Sequence, residues 1–302
     1  MSEPRLRVRS SGQNGSGYVL PARFGDKFKE VKNSAGETIK ARIGEDGKTT
    51  VVPGVTTVLK QLNAPFLIQW AVNRTLDWAN ENASLLMSKS DEDVSRWGKY
   101  RHTDVRDERA EIGTHVHEYI ECDLSGRWDY PYLSEEEQEA ADQWVTFRNK
   151  HEITPLHTEV TLWGGLSAGT ADIIYELDGK ISLDDIKTSK GVYWSAEMQV
   201  AALSQSPIML LEDPDHEGYW VEKPTPMFDE VGVLHIRPDW FDPDTKKFTP
   251  AFHNRIVIPD EEIGMHYEAF KALRTVARTE YDLKVLRKSV SVQKETEQNV
   301  EW

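Results

Sequence analysis

The sequence predicts an α/β domain in which a central mixed sheet is flanked by helices. Three observations point there. Residues 157–191 run as three strand-like segments, HTEVTLWGG, SAGTADIIYELDG and KISLDDIKTSKG, broken by Gly-Gly and by Asp-Gly, a strong two-residue hairpin turn. The segments on either side switch to a period near 3.6, the mark of helices with one apolar face. Of the 302 residues 38% are hydrophobic and 10% aromatic, enough to build a packed core and to exclude global disorder.

Along the chain, residues 18–53 read as short β runs, GYVL, DKFKEVKN, ETIKARI and KTTVVP, with SAGE and GEDGK as turns. They predict an N-terminal β-hairpin extension over residues 1–52, ahead of a main domain over 53–290. After Pro53-Gly54, VTTVLKQL and APFLIQWAVNRTLDWANENASLL are helical, with Leu67, Trp70, Ala71 and Trp78 on one stripe and Thr56 or Thr57 and Asn63 as caps. The polar stretch 89–107 fits either a loop or a frayed helix. From Asp107 to Leu124, Ile112, Val116, Tyr119 and Ile120 form an apolar stripe. Ser134 with Glu137 makes a capping box that opens a helix through Lys150. Beyond the meander, residues 195–206 return to a helix ended near Pro207, and 230–237 and 252–258 read as strands. Pro259 opens a helix to about Tyr281, and residues 291–302 are expected to be a flexible tail.

Composition limits the function. No apolar run is long enough to span a bilayer, and the first residues lack a secretion signal, so a cytoplasmic location without membrane partners is expected. The single cysteine, Cys122, forms no internal disulfide and alone holds no zinc or iron–sulfur site. Net charge is −15, unfavourable for a polyanionic partner. The charge is uneven, however: residues 1–60 hold 11 Lys+Arg against 6 Asp+Glu, a local +5. A nucleic-acid path therefore has to be local and helped by bound cations.

The meander carries the chemistry. Asp172 lies mid-strand, and Asp185 and Lys187 lie two residues apart on the next strand, hence on one face. Carboxylates that hold a hard divalent cation, with an ammonium beside them, are what phosphodiester hydrolysis requires. An isolated Asp-x-Lys is ordinarily a solvated face or a salt bridge. Here Glu159 lies on the preceding strand and Gln199 in the following helix, so the residues can enclose a site. Asp184 competes for the ligand role, but alternation puts it on the opposite face from Lys187, which favours Asp185. In the helix at 107–124, Gly113, His117 and Glu121 share one line along the apolar stripe, and His117 can reach a metal. His115 points elsewhere and reads as surface. Lys190, Tyr193 and Trp194 sit at the edge of this group, where the rings suit base stacking as well as they suit ordinary packing at a helix start.

These residues resemble a known group. GTHVHEYIE is similar to a G-T-x-x-H-x-x-x-E motif, GTADIIYELDGKISLDDIKTSK to the D-x(n)-D-x-K-T core of RecB-type PD-(D/E)XK nucleases, and EMQVAAL to the Q-x-x-x-Y motif after it. The opening VPGVTTVLKQLNAPFLIQWA resembles the entry of phage exonucleases in that group. The resemblance covers residues 53–205 and implies a restriction-endonuclease-like core. It implies His117, Asp172, Asp185 and the Ile186 carbonyl as ligands of one or two Mg²⁺ or Mn²⁺ ions, and Lys187 as the catalytic lysine. Glu159 would contact the metal directly or through water, and Gln199 would orient Lys187 or the phosphate. Two positions depart from the pattern. Leu203 stands where the motif has tyrosine, a role that is lost or passes to Tyr193 or Trp194. The CRISPR-associated relatives carry four cysteines for an iron–sulfur cluster, and this chain has one.

The resulting expectation is a cluster-free, metal-dependent DNA exonuclease of phage-type recombination or repair, with DNA as partner and a single-strand annealing or binding protein as a candidate second one. A non-catalytic nucleic-acid-binding module and a metal-dependent hydrolase of a non-nucleic substrate are the alternatives.

Overall fold

The structure is a computed structural model that describes residues 6–9, 16–62, 65–90, 92–93, 98, 100–242 and 246–298. The N-terminal part contributes β1 (Arg7–Arg9), β2 (Ser16–Val19), β3 (Phe28–Lys32), β4 (Thr38–Arg42) and β5 (Val51–Pro53). Strands β1, β2 and β5 form one small sheet, and β3–β4 form a hairpin. This unit shares its core with the main sheet. Leu6, Val8, Tyr18, Val19, Ile39 and Ala41 are buried together with Trp163, Leu210 and Trp220, and the Trp220 amide donates to the Ala22 carbonyl at 3.0 Å.

Next come α1 (Val55–Leu59), α2 (Pro65–Glu81), α3 (Ala83–Leu86), α4 (Arg101–Ser125) and α5 (Glu135–Arg148). Gly54, not Thr56 or Thr57, caps α1, with no side-chain bond. The chain enters the helix directly from β5, so the turn falls on the glycine. Asn63 and the Leu67 side chain lie outside what is described. Helix α4 starts six residues before the expected Asp107, because Arg101–Arg106 contains no glycine or proline to stop it. Part of 89–107 is therefore helix. The capping box at α5 is present as read: Ser134 Oγ accepts from the Glu137 amide, and the Glu137 carboxylate accepts from the Ser134 amide.

The main sheet has seven strands in the order β10-β9-β6-β7-β8-β11-β14. These are β6 (Ile153–Trp163), β7 (Ala168–Leu177), β8 (Lys180–Lys187), β9 (Ile208–Glu212), β10 (Trp220–Pro224), β11 (Glu230–Arg237) and β14 (Phe252–Val257); β12 (Trp240–Asp242) and β13 (Lys247–Thr249) form a separate hairpin. Strands β6, β7 and β8 are the antiparallel meander the sequence predicts. The turn between β7 and β8 puts Asp178 at φ 52° and Gly179 at φ 80°, the left-handed pair that a tight hairpin demands. Strand β8 pairs in parallel with β11, which makes the sheet mixed.

Helices cover both faces. On one side α1, α6 (Trp194–Ser204) and α7 (Asp260–Gln298) pack through Val55, Val58, Met198 and Phe270 onto Ile174, Leu183 and Val233. On the other, Val116 and Ile120 of α4 and Trp144 and Phe147 of α5 pack onto Ile173, Tyr175, Ile186 and Leu234. Within β8, Leu183 and Ile186 therefore face opposite layers, which fixes the faces of Asp184 and Asp185 as well. Helix α7 continues to Gln298, past the expected end at Tyr281. The expected flexible tail thus begins inside a helix, since no glycine or proline follows Gly264. No described helix is long and apolar enough to cross a membrane.

Candidate active site

Five elements bring the predicted residues together. Strand β6 carries Glu159, β7 carries Asp172, β8 carries Asp185, Ile186 and Lys187, α6 carries Gln199, and α4 brings His117 from the opposite helical layer. The local geometry follows from sheet and helix periods. Asp185 and Lys187 share the face of β8 that α6 covers, so Gln199 Nε2 donates to Asp185 Oδ1 at 2.8 Å. The second Asp185 oxygen, Oδ2, faces the Lys187 ammonium as an ion pair.

Asp172 Oδ2 accepts from the Ile186 amide at 2.8 Å and lies 3.6 Å from His117 Nδ1. His117 Nε2 lies 3.1 Å from the Ile186 carbonyl. A carbonyl only accepts, so Nε2 carries a proton in that contact, and Nδ1 is the ring nitrogen turned towards Asp172. One donor atom each from His117, Glu159 and Asp172 lies within 4.8 Å of the others. Two carboxylates and an imidazole converging in this way fit a divalent cation by donor chemistry. Asp185 is adjacent to this trio, but both its oxygens face Lys187 and Gln199.

Glu159 reaches the cluster through an unusual backbone. Strand register shifts by one between Pro155 and His157, and two residues after His157 Glu159 has φ 50°, left-handed for a side-chain-bearing residue in a strand. Thr158 pairs with Ile173 and Val160 with Ala171, so Glu159 lies level with Asp172 across the two strands.

Electrostatics tie the cluster together. Burial pushes the Asp185 carboxyl up to about 6, the Lys187 ammonium opposes that rise, and the Asp172 charge adds to it. Burial also acts against the Lys187 charge, but the Asp185 and Asp172 carboxylates outweigh it and hold the amine above its ordinary pKa.

The cluster opens into a cleft of about 790 Å³. Its walls include the expected His117, Glu159, Asp172, Lys187 and Gln199, Glu121 from the same helical line as His117, and also Arg7, Tyr18, Glu37 and Arg127, to which sequence reasoning gave no place in the site. The N-terminal extension is thus one wall, held by Tyr18 Oη to Thr170 Oγ1 at 3.0 Å. Gly113 faces Thr188, where an added Cβ would come within 3.1 Å of Oγ1. Leu203, at the motif's tyrosine position, is buried in the core against Gly169 and Val55. Tyr193 and Trp194 are half exposed at the start of α6 and, like exposed Lys190, are not part of the cleft wall. His115 points away from the cluster and keeps about a third of its side chain exposed, while its Nδ1 lies 2.7 Å from Glu137 Oε1, joining α4 to the capping box of α5. Asp184 lies on the opposite face, as alternation predicts. It is fully buried and bound by Tyr175 Oη at 2.6 Å and by Arg255 Nε at 2.6 Å and Nη2 at 3.1 Å.

No family model and no curated protein matches the chain. Among solved structures, the chain is similar to the crystal structure of LHK-Exo in complex with dAMP, at 16% identity over 60% of this chain and 86% of that one, with a TM-score of 0.26.

Proposed function

We propose that this chain is a metal-dependent nuclease that hydrolyses DNA phosphodiester bonds in the cleft. The observation that carries the reading is the convergence of His117, Glu159 and Asp172 beside the Asp185–Lys187–Gln199 group. His117, Glu159 and Asp172 would hold a Mg²⁺ or Mn²⁺ ion, with Asp185 and the Ile186 carbonyl at its border. When bound, such an ion lowers the pKa of water and screens phosphate charge. Lys187 supplies a fixed ammonium where negative charge grows in the transition state, and in a half-buried site that charge counts for more than in water. Asp185 keeps Lys187 protonated and aimed. Gln199 holds Asp185 in place by donating to Oδ1, the oxygen that does not face Lys187. His117, with Nε2–H on the Ile186 carbonyl, keeps Nδ1 turned towards Asp172. The end-directed mode and a role in recombination or repair come from the motif resemblance.

The net charge of −15 favours a second reading, a metal-dependent hydrolase of a non-nucleic substrate. Fluorescent single-stranded, double-stranded and RNA oligonucleotides, each incubated with Mn²⁺ and with excess chelator, separate the two. The nuclease reading expects Mn²⁺-dependent cleavage of DNA that Asp172→Ala abolishes; intact oligonucleotides under every condition would leave the second reading.

A further inference from the structure

The loop between α4 and α5 exposes large aromatic rings. Trp128 is 90% exposed and Tyr132 is 93% exposed. Rings of that size ordinarily gain by burial, and a cluster of them in water marks a contact surface. The loop backbone is nonetheless held. Gly126 closes α4 with φ 66°, and the Arg127 amide donates to the Cys122 carbonyl at 2.9 Å. The Arg127 guanidinium donates to the buried Cys122 sulfur at 2.9 Å. Between the two exposed rings, Tyr130 packs on Tyr119 of α4 with centroids 5.0 Å apart. Thus the exposed rings are carried on an anchored segment.

The segment adjoins the site. Arg127, one residue before Trp128, lines the cleft together with Glu121, His117 and Glu159. Its charge is largely spent, with Nη1 at 3.5 Å from Glu121 and Nε at 3.2 Å from Asp129. On a chain of net charge −15, phosphate contacts alone give a polyanion little affinity. Stacking on rings adds affinity without needing positive charge, and only an unpaired base has its faces free to stack.

We propose that Trp128 and Tyr132 form a base-stacking surface that holds an unpaired nucleic-acid strand at the mouth of the cleft. The inference rests on the nuclease reading and names its substrate end. Stacking on one ring strengthens binding by roughly 5- to 150-fold per base, and because few counterions are released the affinity falls only shallowly with salt.

The test uses the full chain, wild type and Trp128→Ala/Tyr132→Ala, with Trp128→Phe as conservative control and melting curves confirming the fold. Fluorescence anisotropy of a labelled 12-nucleotide thymidine strand and of a blunt duplex is read in chelator at several salt concentrations. Cleavage with Mn²⁺ is followed in parallel. Expected is a Kd for the single strand at least tenfold weaker in the double variant, little change for the blunt duplex, most affinity kept by Trp128→Phe, and a loss in cleavage that lies in KM. Unchanged single-strand affinity in the double variant, while wild type binds and cleaves, overturns the inference and leaves the nuclease reading standing. Loss of self-association in the variant with unchanged strand binding overturns it in favour of a protein contact. A wild-type chain that neither binds nor cleaves any nucleic acid overturns both.

Discussion

Glu159 offers a clean test of whether backbone strain is stored at the site. Its φ of 50° places it in the left-handed region, where an L-residue with a Cβ loses about 1–2 kcal/mol relative to glycine. At an ordinary strand position the order is reversed, and glycine is worse than alanine by roughly 0.5–1 kcal/mol because of its backbone entropy. Glu159→Gly and Glu159→Ala both remove the carboxylate, so their difference isolates the Cβ. Setting relief against entropy, the glycine variant should be more stable than the alanine variant by about 0.5–1 kcal/mol. Both should lose tight Mn²⁺ binding, since one of three converging donors is gone. Urea unfolding of both variants in chelator, fitted with a shared m-value, gives the stability difference, and calorimetric titration with Mn²⁺ gives the binding. An alanine variant equal to or more stable than the glycine variant would show that the backbone at 159 is not strained, and the link between that strain and the aim of the carboxylate would be lost.

Other perturbations act on different parts of the account. Lys187→Met should slow single-turnover cleavage by at least about 10²–10³ while Mn²⁺ affinity is largely kept, because the lysine is no ligand; a near wild-type rate contradicts its role. Asp184→Ala leaves the buried Arg255 with Glu230 alone and the buried Tyr175 hydroxyl without its acceptor, and should cost about 3–5 kcal/mol in urea unfolding. A loss under 1 kcal/mol would mean the network relaxes. His157, His235 and His253 are all held below the ordinary histidine pKa, chiefly by burial. The unfolded chain then binds more protons than the native one as pH falls through about 6.5, so their stability contribution is full above that pH and is lost progressively below it. His235→Gln keeps a donor for the Ser189 carbonyl, which accepts from Nε2 at 2.7 Å, and should flatten this dependence. An unchanged slope in that variant refutes the assignment.

Much of the site was legible because strand alternation is a strong signal. Asp185 and Lys187 lie two positions apart, and that spacing alone puts them on one face and Asp184 on the other. Asp178-Gly179 announced the hairpin that sets Asp172 beside them. Helical spacing likewise placed His117 at the border of the α4 stripe. What the sequence hid depends on long-range packing. The register shift before His157 and the left-handed Glu159 leave no local mark, since a glutamate in αL follows from its surroundings rather than its propensity. The N-terminal wall of the cleft arises from burial of Leu6, Val8 and Tyr18 against Trp163 and Trp220, contacts between residues 145 or more positions apart. Arg127 reaches the cleft only because Gly126 turns the chain at the end of α4; glycine after an apolar stripe was the one available hint. Strands β9 and β10 escaped notice because IMLLE and WVEKP are short and do not alternate.

The central claim is that His117, Glu159 and Asp172 hold a catalytic divalent ion beside Lys187. Single-turnover DNA cleavage measured across a Mn²⁺ titration, for wild type and Asp172→Ala side by side with calorimetric metal binding, tests it most directly. Wild type should bind Mn²⁺ and cleave in proportion to site occupancy, whereas Asp172→Ala should do neither. Full cleavage in excess chelator, or an Asp172→Ala protein that cleaves at the wild-type rate, would contradict the claim.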